Sequence, residues 1–305
     1  MLIAKEQNTM AQTTISRPSA LSGTWGEAIA EFFGTMVLIL FGDGCVAVFG
    51  LFTQFNGPHA APTAFAHTWT VIIFGWGLAV MLGIYVSGAI SGAHINPAVT
   101  IALAVTKRFS WNKVVPYIIA QLLGAFVAAA ILYFVYQGAL VSNAGTSGGA
   151  AFATNVGYVF YTSPKPFVGL FGAFGDEFLG TALLVGLILA IVDGRNQPVQ
   201  ANLNPFIIGL LIVAIGASFG MNTGYAINPA RDFGPRLWVA IVSGGASLSQ
   251  NNYYFWVPIV APILGGIVGG LIYDYTIGRV LEARKIGKSG EAETKGEAVR
   301  EPSVN

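Results

Sequence analysis

The chain has 305 residues, 54% of them hydrophobic and only 10% charged, with a mean hydropathy of +0.65. A soluble domain carries about 25% charged residues, so this composition excludes one and points to a membrane protein. A net charge of +1 leaves neither a nucleic-acid footprint nor a strongly acidic surface, and a single cysteine, Cys45, excludes an internal disulfide and reads as a small packing residue.

Residues 1–25 form a polar tail without the basic start and apolar core of a signal peptide, so the first hydrophobic stretch is expected to stay in the mature protein. No Asp, Glu, Lys or Arg occurs from Gly44 to Thr106, Val114 to Pro164, Asn196 to Ala230 or Leu237 to Tyr273. Hydrophobic runs predict spans over 28–50, 68–90, 112–136, 174–193, 203–221 and 254–276. Two further apolar segments, 97–107 and 229–242, are long enough for only about half a bilayer at ~1.5 Å per residue. Residues 279–305 hold six Lys/Arg and five acids and are expected to be solvated and mostly disordered.

Basic residues cluster after even-numbered spans: Lys107, Arg108 and Lys113, then Arg195, then the tail. By the positive-inside rule both termini are expected to be cytoplasmic in a multi-pass cell-membrane protein, which places the first short segment inside and the second outside. The halves also repeat. Glu31-Phe32-Phe33-Gly34-Thr35 matches Glu177-Phe178-Leu179-Gly180-Thr181, and Ala120 to Ala125 answers Ala261 to Gly266. Each half has three spans and one short segment after its second. Three is odd, so the second half enters from the opposite side. The expected fold is an all-α membrane protein of six transmembrane helices plus two half-spanning helices in an inverted repeat, over 26–278 with halves near 26–140 and 172–278.

Both short segments open on the same triplet, Asn96-Pro97-Ala98 and Asn228-Pro229-Ala230. Asparagine is a favoured N-cap and proline fits the first helical turn, so each triplet reads as a helix start. Two such ends meeting at mid-membrane would oppose cations through their positive dipoles. A water held by both asparagine amides would point its hydrogens toward opposite exits, breaking a proton-conducting chain.

Ser91 to Thr100, together with Asn228-Pro229-Ala230-Arg231-Asp232-Phe233-Gly234-Pro235 and the repeat, resembles the aquaporin family, more narrowly its aquaglyceroporin (glycerol facilitator) branch, over roughly 26–276. The resemblance implies a passive channel for glycerol, similar small neutral solutes and water, without a cofactor, assembled as a homotetramer with a pore in each subunit. It makes Arg231 the filter arginine, with Trp76, Gly216 and Tyr225 as the other filter positions. In that reading Gly216 widens the pore, Trp76 supplies an apolar wall and Asp232 is structural. Tyr225 departs from the branch's usual phenylalanine; its hydroxyl either points into the pore and narrows it or reaches a protein partner. The carbonyls of Gly92, Ala93 and His94, and of Gly224, Tyr225 and Ala226, are expected to form a ladder of acceptors.

Competing readings attach to the charged residues. Arg231 could instead snorkel to the interface. The intramembrane acids Glu31 and Glu177 suit either a proton relay, as in a proton-coupled polyol transporter, or scaffolding of the non-helical backbone before each short helix; their matched positions favour scaffolding. A mainly water-selective channel is disfavoured by Trp76, Gly216 and Asp232. No metal-ligand spacing and no nucleophile with a paired base stands out, so no enzyme is indicated and His94 reads as a loop residue.

Overall fold

A computed structural model of the protein describes residues 20–52 and 68–284. The helices are Thr24–Leu51 (α1), Trp69–Ser91 (α2), Pro97–Val105 (α3), Val114–Val135 (α4), Gln137–Ala144 (α5), Gly149–Val156 (α6), Leu170–Val192 (α7), Asn204–Thr223 (α8), Pro229–Ser243 (α9), Ala246–Tyr253 (α10) and Val257–Tyr273 (α11). Among the described residues there is no strand. Six helical segments, built around α1, α2, α4, α7, α8 and α11, are long and apolar enough to cross a membrane. An even number of spans returns the chain to the side on which it starts, termed here the terminal face.

The short helices knit the two halves together. α3 packs against α11 and α9 against α4, so each half-spanning helix rests on a spanning helix of the other half, while α2 packs against α8 across the centre. Within each half the first and last spans meet closely over glycine. A Cβ at Gly124 would collide with the Phe32 carbonyl of α1, and a Cβ at Gly265 or Gly269 with the Phe178 or Ala182 carbonyl of α7. The glycines of the last span therefore serve a contact inside the chain.

One segment goes beyond the sequence expectation and one differs from it. The connection after α4, for which the sequence predicts no element, carries α5, α6 and a 3₁₀ turn at Gly157–Val159, and Phe152, Phe160 and Tyr161 are buried there against Val239 of α9. The C-terminal charged stretch is helical up to Arg284, through a π-turn at Asp274–Gly278, and so is not disordered over 279–284. The cause is ionic anchoring: Asp274 receives both terminal nitrogens of Arg108, and Glu282 pairs with Arg195 at 2.8 Å. The first tail and the last part of the second (1–19, 285–305) and the 53–67 connection lie outside the described residues.

Candidate pore and selectivity site

Each short helix starts as its triplet dictates. Asn96 Oδ1 accepts from Ala98 N at 2.9 Å, and Asn228 Oδ1 accepts from Ala230 N at 3.0 Å and Arg231 N at 3.3 Å, with Pro97 and Pro229 in the first turn. The amide nitrogens then cross between halves: Asn96 Nδ2 donates to the Ile227 carbonyl and Asn228 Nδ2 to the Ile95 carbonyl, each at 2.8 Å. Each amide has two N–H groups, so one remains for the cavity that both asparagines line.

The backbone entering each short helix repeats the same unusual path. Gly92 (φ 83°), Ala93 (51°) and Ile95 (43°) are left-handed, as are Gly224 (99°), Tyr225 (41°) and Ile227 (43°). Such conformations persist in non-glycine residues only when their surroundings hold them. Here a buried carboxylate does so. Glu31 Oε1 accepts from His94 N at 2.9 Å and Ser91 Oγ at 2.6 Å, and its Oε2 from Ile95 N at 2.6 Å and Gln121 Nε2 at 2.7 Å. Glu177 Oε1 accepts from Ala226 N and Thr223 Oγ1, and its Oε2 from Ile227 N, all at 2.8 Å. Both acids are fully buried, and neither lines the cavity. His94 lines it while its Nδ1 shares a 3.1 Å hydrogen bond with Thr100; among the described residues no cluster of His, Cys, Asp and Glu could hold a metal.

A cavity of about 490 Å³ runs inward from the terminal face, where Arg108, Asp193, Arg195 and Tyr273 line its mouth, past Gly92, Ala93, His94 and the two asparagines, to Tyr225, Trp76 and Arg231. At the mouth, Arg195 beside Asp193 holds that carboxyl well below the usual carboxylate range, and the Tyr273 hydroxyl donates to it at 2.7 Å. A second cavity of about 250 Å³ on the opposite face is lined by Trp69, Tyr161, Thr162 and Gly224, and also by Trp76 and Arg231. Trp76 and Arg231 thus stand between two chambers that open on opposite faces. The guanidinium carbon lies 4.0 Å from the Trp76 ring centroid, a cation–π contact.

At Gly216 the structure adds a neighbour to the sequence reading. It is buried and lines neither cavity, because the Tyr225 ring occupies the space above it: a Cβ there would stand 2.8 Å from Tyr225 Cζ and 2.9 Å from its hydroxyl oxygen. Gly220, one turn on, cradles the same ring, with 2.7 Å from its ideal Cβ to Tyr225 Cδ1. The glycine seats the Tyr225 ring and acts through it, with no gap of its own open to either cavity. The Tyr225 hydroxyl reaches a protein partner, donating to the Ile72 carbonyl at 3.4 Å, and Trp69 meets the ring edge-on at 6.1 Å. Arg231 does not snorkel; it is 6% exposed, inside the protein.

Asp232 lines neither cavity. Its carboxylate accepts from Arg236 Nε at 2.8 Å and from Thr162 N and Oγ1 at 2.8 and 2.7 Å, which ties the connection after α6 to the start of α9. That connection carries the Phe160 carbonyl, 3.5 Å from Arg231 Nη1. Sequence reasoning missed Phe160, whose contribution is a backbone oxygen, and Gln121, an ordinary polar residue in a span. It also missed Asp43, an acid in α1 that pairs with Arg231 Nη1 at 3.3 Å. The rule that singled out Glu31, that an ionisable residue inside a span asks for a partner, applies equally to Asp43.

The profile of the family described as Major intrinsic protein matches residues 19–273. The chain belongs to the major intrinsic protein family. It is 45% identical over 249 residues to Aquaglyceroporin-2 of Rhizophagus irregularis, covering 81% of this chain and 76% of that one. It is 40% identical over 253 residues to human Aquaporin-9, covering 82% of each. Among solved structures, the X-ray structure of the aquaglyceroporin from Plasmodium falciparum superposes with a TM-score of 0.75 at 37% identity, over 86% of this chain and all of that one. This major intrinsic protein therefore shares both sequence and fold with proteins named for glycerol passage.

Proposed function

We propose that the protein is a passive channel conducting glycerol, other small uncharged solutes and water while excluding ions and protons. The observation that carries this reading is the meeting of two chambers from opposite faces at Trp76 and Arg231, with both asparagine amides lining the larger one. Relatives named aquaglyceroporin support the solute class. In this channel the Trp76 and Tyr225 rings take the carbon skeleton, Arg231 donates to hydroxyls, and the carbonyls of the two non-helical stretches accept from them. The positive ends of α3 and α9 oppose cations at the centre. Glu31 and Glu177 are scaffold: each already holds two consecutive backbone N–H groups, and a proton relay would have to break them. The basic residues of the terminal face support a cytoplasmic position for it in a cell membrane, and the family resemblance supports a homotetramer.

Stopped-flow light scattering on proteoliposomes with a solute panel tests the reading. Downhill glycerol flux without dependence on a proton gradient is expected; uphill accumulation driven by such a gradient would make the protein a transporter. Arg231→Val is expected to raise electrically measured ion leak while glycerol flux persists, and background leak in folded, inserted protein would remove Arg231 from the barrier.

A further inference from the structure

Outside the family motifs, α1 supplies a dipeptide on which the constriction rests. Gly42 has no room for a Cβ because the Trp76 ring lies against it. The next residue, Asp43, is fully buried, and its Oδ1 faces Arg231 Nη1 at 3.3 Å, with side-chain exposures of 0% and 7%. Its other oxygen, Oδ2, is buried with no protein hydrogen-bond partner among the described residues, so the carboxylate has no second donor to share it. Asp43 lines neither chamber and can reach a solute only through Arg231.

We propose that Asp43 is the positioning residue and counter-charge of Arg231. Its carboxylate holds the guanidinium over Trp76 and offsets its field, so that the constriction keeps the donors of an arginine without becoming an anion site. The proposal rests on the reading of Arg231 as the filter residue. A buried guanidinium placed near the positive end of α9, with no acid beside it, would attract small anions; a buried carboxylate alone would attract cations. The other half shows the neutral alternative. By the register that equates Asn96 with Asn228, Arg231 corresponds to Val99; by that equating Glu31 with Glu177, Asp43 corresponds to Leu189. Val99 and Leu189 are both apolar, and both line the larger chamber. The constriction thus carries a charged pair where the matching positions of the other half carry two apolar residues, and both members of the pair are replaced together.

The test uses the full chain in proteoliposomes under a potassium nitrate gradient, comparing wild type, Asp43→Asn, Arg231→Val and the two substitutions combined, by conductance and reversal potential. Asp43→Asn is expected to raise nitrate conductance about tenfold, equivalent to ~1.4 kcal/mol, and to move the reversal potential toward that of nitrate. Arg231→Val is expected to leak cations, and adding Asp43→Asn to it should cut that leak by a similar factor. Wild-type nitrate conductance in folded Asp43→Asn protein overturns the proposal. So does an equal cation leak with and without Asp43→Asn in the Arg231→Val background, a comparison that stands even if Asp43→Asn alone does not insert, because removing both charges leaves neither buried unpaired. Thermal unfolding of the four proteins separates this failure from that of the filter reading. Coupling between the two substitutions with no change in any leak makes the pair structural and removes both Arg231 from the filter and Asp43 from its support. Additive unfolding with a leak in Arg231→Val leaves the filter and overturns the pairing.

Discussion

The stretches leading into α3 and α9 share one backbone and differ in what they present. Both are left-handed at matching positions, both hang from a buried glutamate, and both end in an asparagine that donates to the carbonyl before the other asparagine. Beyond that frame they diverge: Ala93 answers Tyr225, Val99 answers Arg231 and Thr100 answers Asp232. The shared part solves a problem common to both halves, satisfying non-helical backbone inside a membrane. The divergent part gathers on one side, where the passage meets Trp76. The internal repeat accounts for the frame, and in the proposed channel selection among solutes needs only one of its two mouths.

The largest effect should come from breaking the frame. Glu177→Ala strips the acceptors from Ala226 N and Ile227 N, each orphaned buried donor costing about 1–3 kcal/mol against a total stability of about 5–15 kcal/mol. Poor insertion or a greatly lowered unfolding temperature in detergent is expected. Glu177→Gln should fall between, since its amide keeps one acceptor oxygen and turns N–H groups toward the other donor. A wild-type unfolding temperature for Glu177→Ala would show that the two stretches are held by something other than their glutamates.

The next effect sharpens the asymmetric side. Gly216→His drives a side chain into the Tyr225 ring, whose Cζ already stands 2.8 Å from an added Cβ, so the ring must move into the passage. Glycerol flux should fall at least about tenfold, an effect that needs only ~1.4 kcal/mol, with water flux falling less. Equal loss of both in folded, inserted protein would place Tyr225 outside the constriction.

The smallest effect concerns the Tyr225 hydroxyl. Its hydrogen bond to the Ile72 carbonyl is long, at 3.4 Å, so Tyr225→Phe should cost no more than the low end of the usual ~0.5–1.5 kcal/mol in stability. Because the hydroxyl is engaged with protein, glycerol permeability should change less than about threefold, or ~0.6 kcal/mol. A larger change in light-scattering rates would mean that the hydroxyl meets the solute.

Much of the frame is legible in the residues. The spans, the two half-helices and the matched glutamates follow from hydrophobic runs, cap chemistry and a repeat of odd span number, because backbone satisfaction in a membrane leaves few other arrangements. The filter was legible only in part. The family resemblance marks Trp76, Tyr225 and Arg231 as filter positions, and all three line the larger chamber. Gly216 acts less directly than its missing side chain suggests, because a neighbour's ring fills the space above it, and only packing shows that.

By itself the sequence determined what each segment must do locally: which runs cross, where helices start, and which acids inside spans need partners. Those are consequences of composition and period within a window of one helix. Which partners they find was decided by tertiary structure. Asp43 and Arg231 are far apart in the chain, as are Asn96 and Ile227, and no local pattern ties either pair. Their meeting depends on two halves packed in opposite orientation, each short helix resting on the other half, and that arrangement brings a charge from α1 beneath a guanidinium at the start of α9.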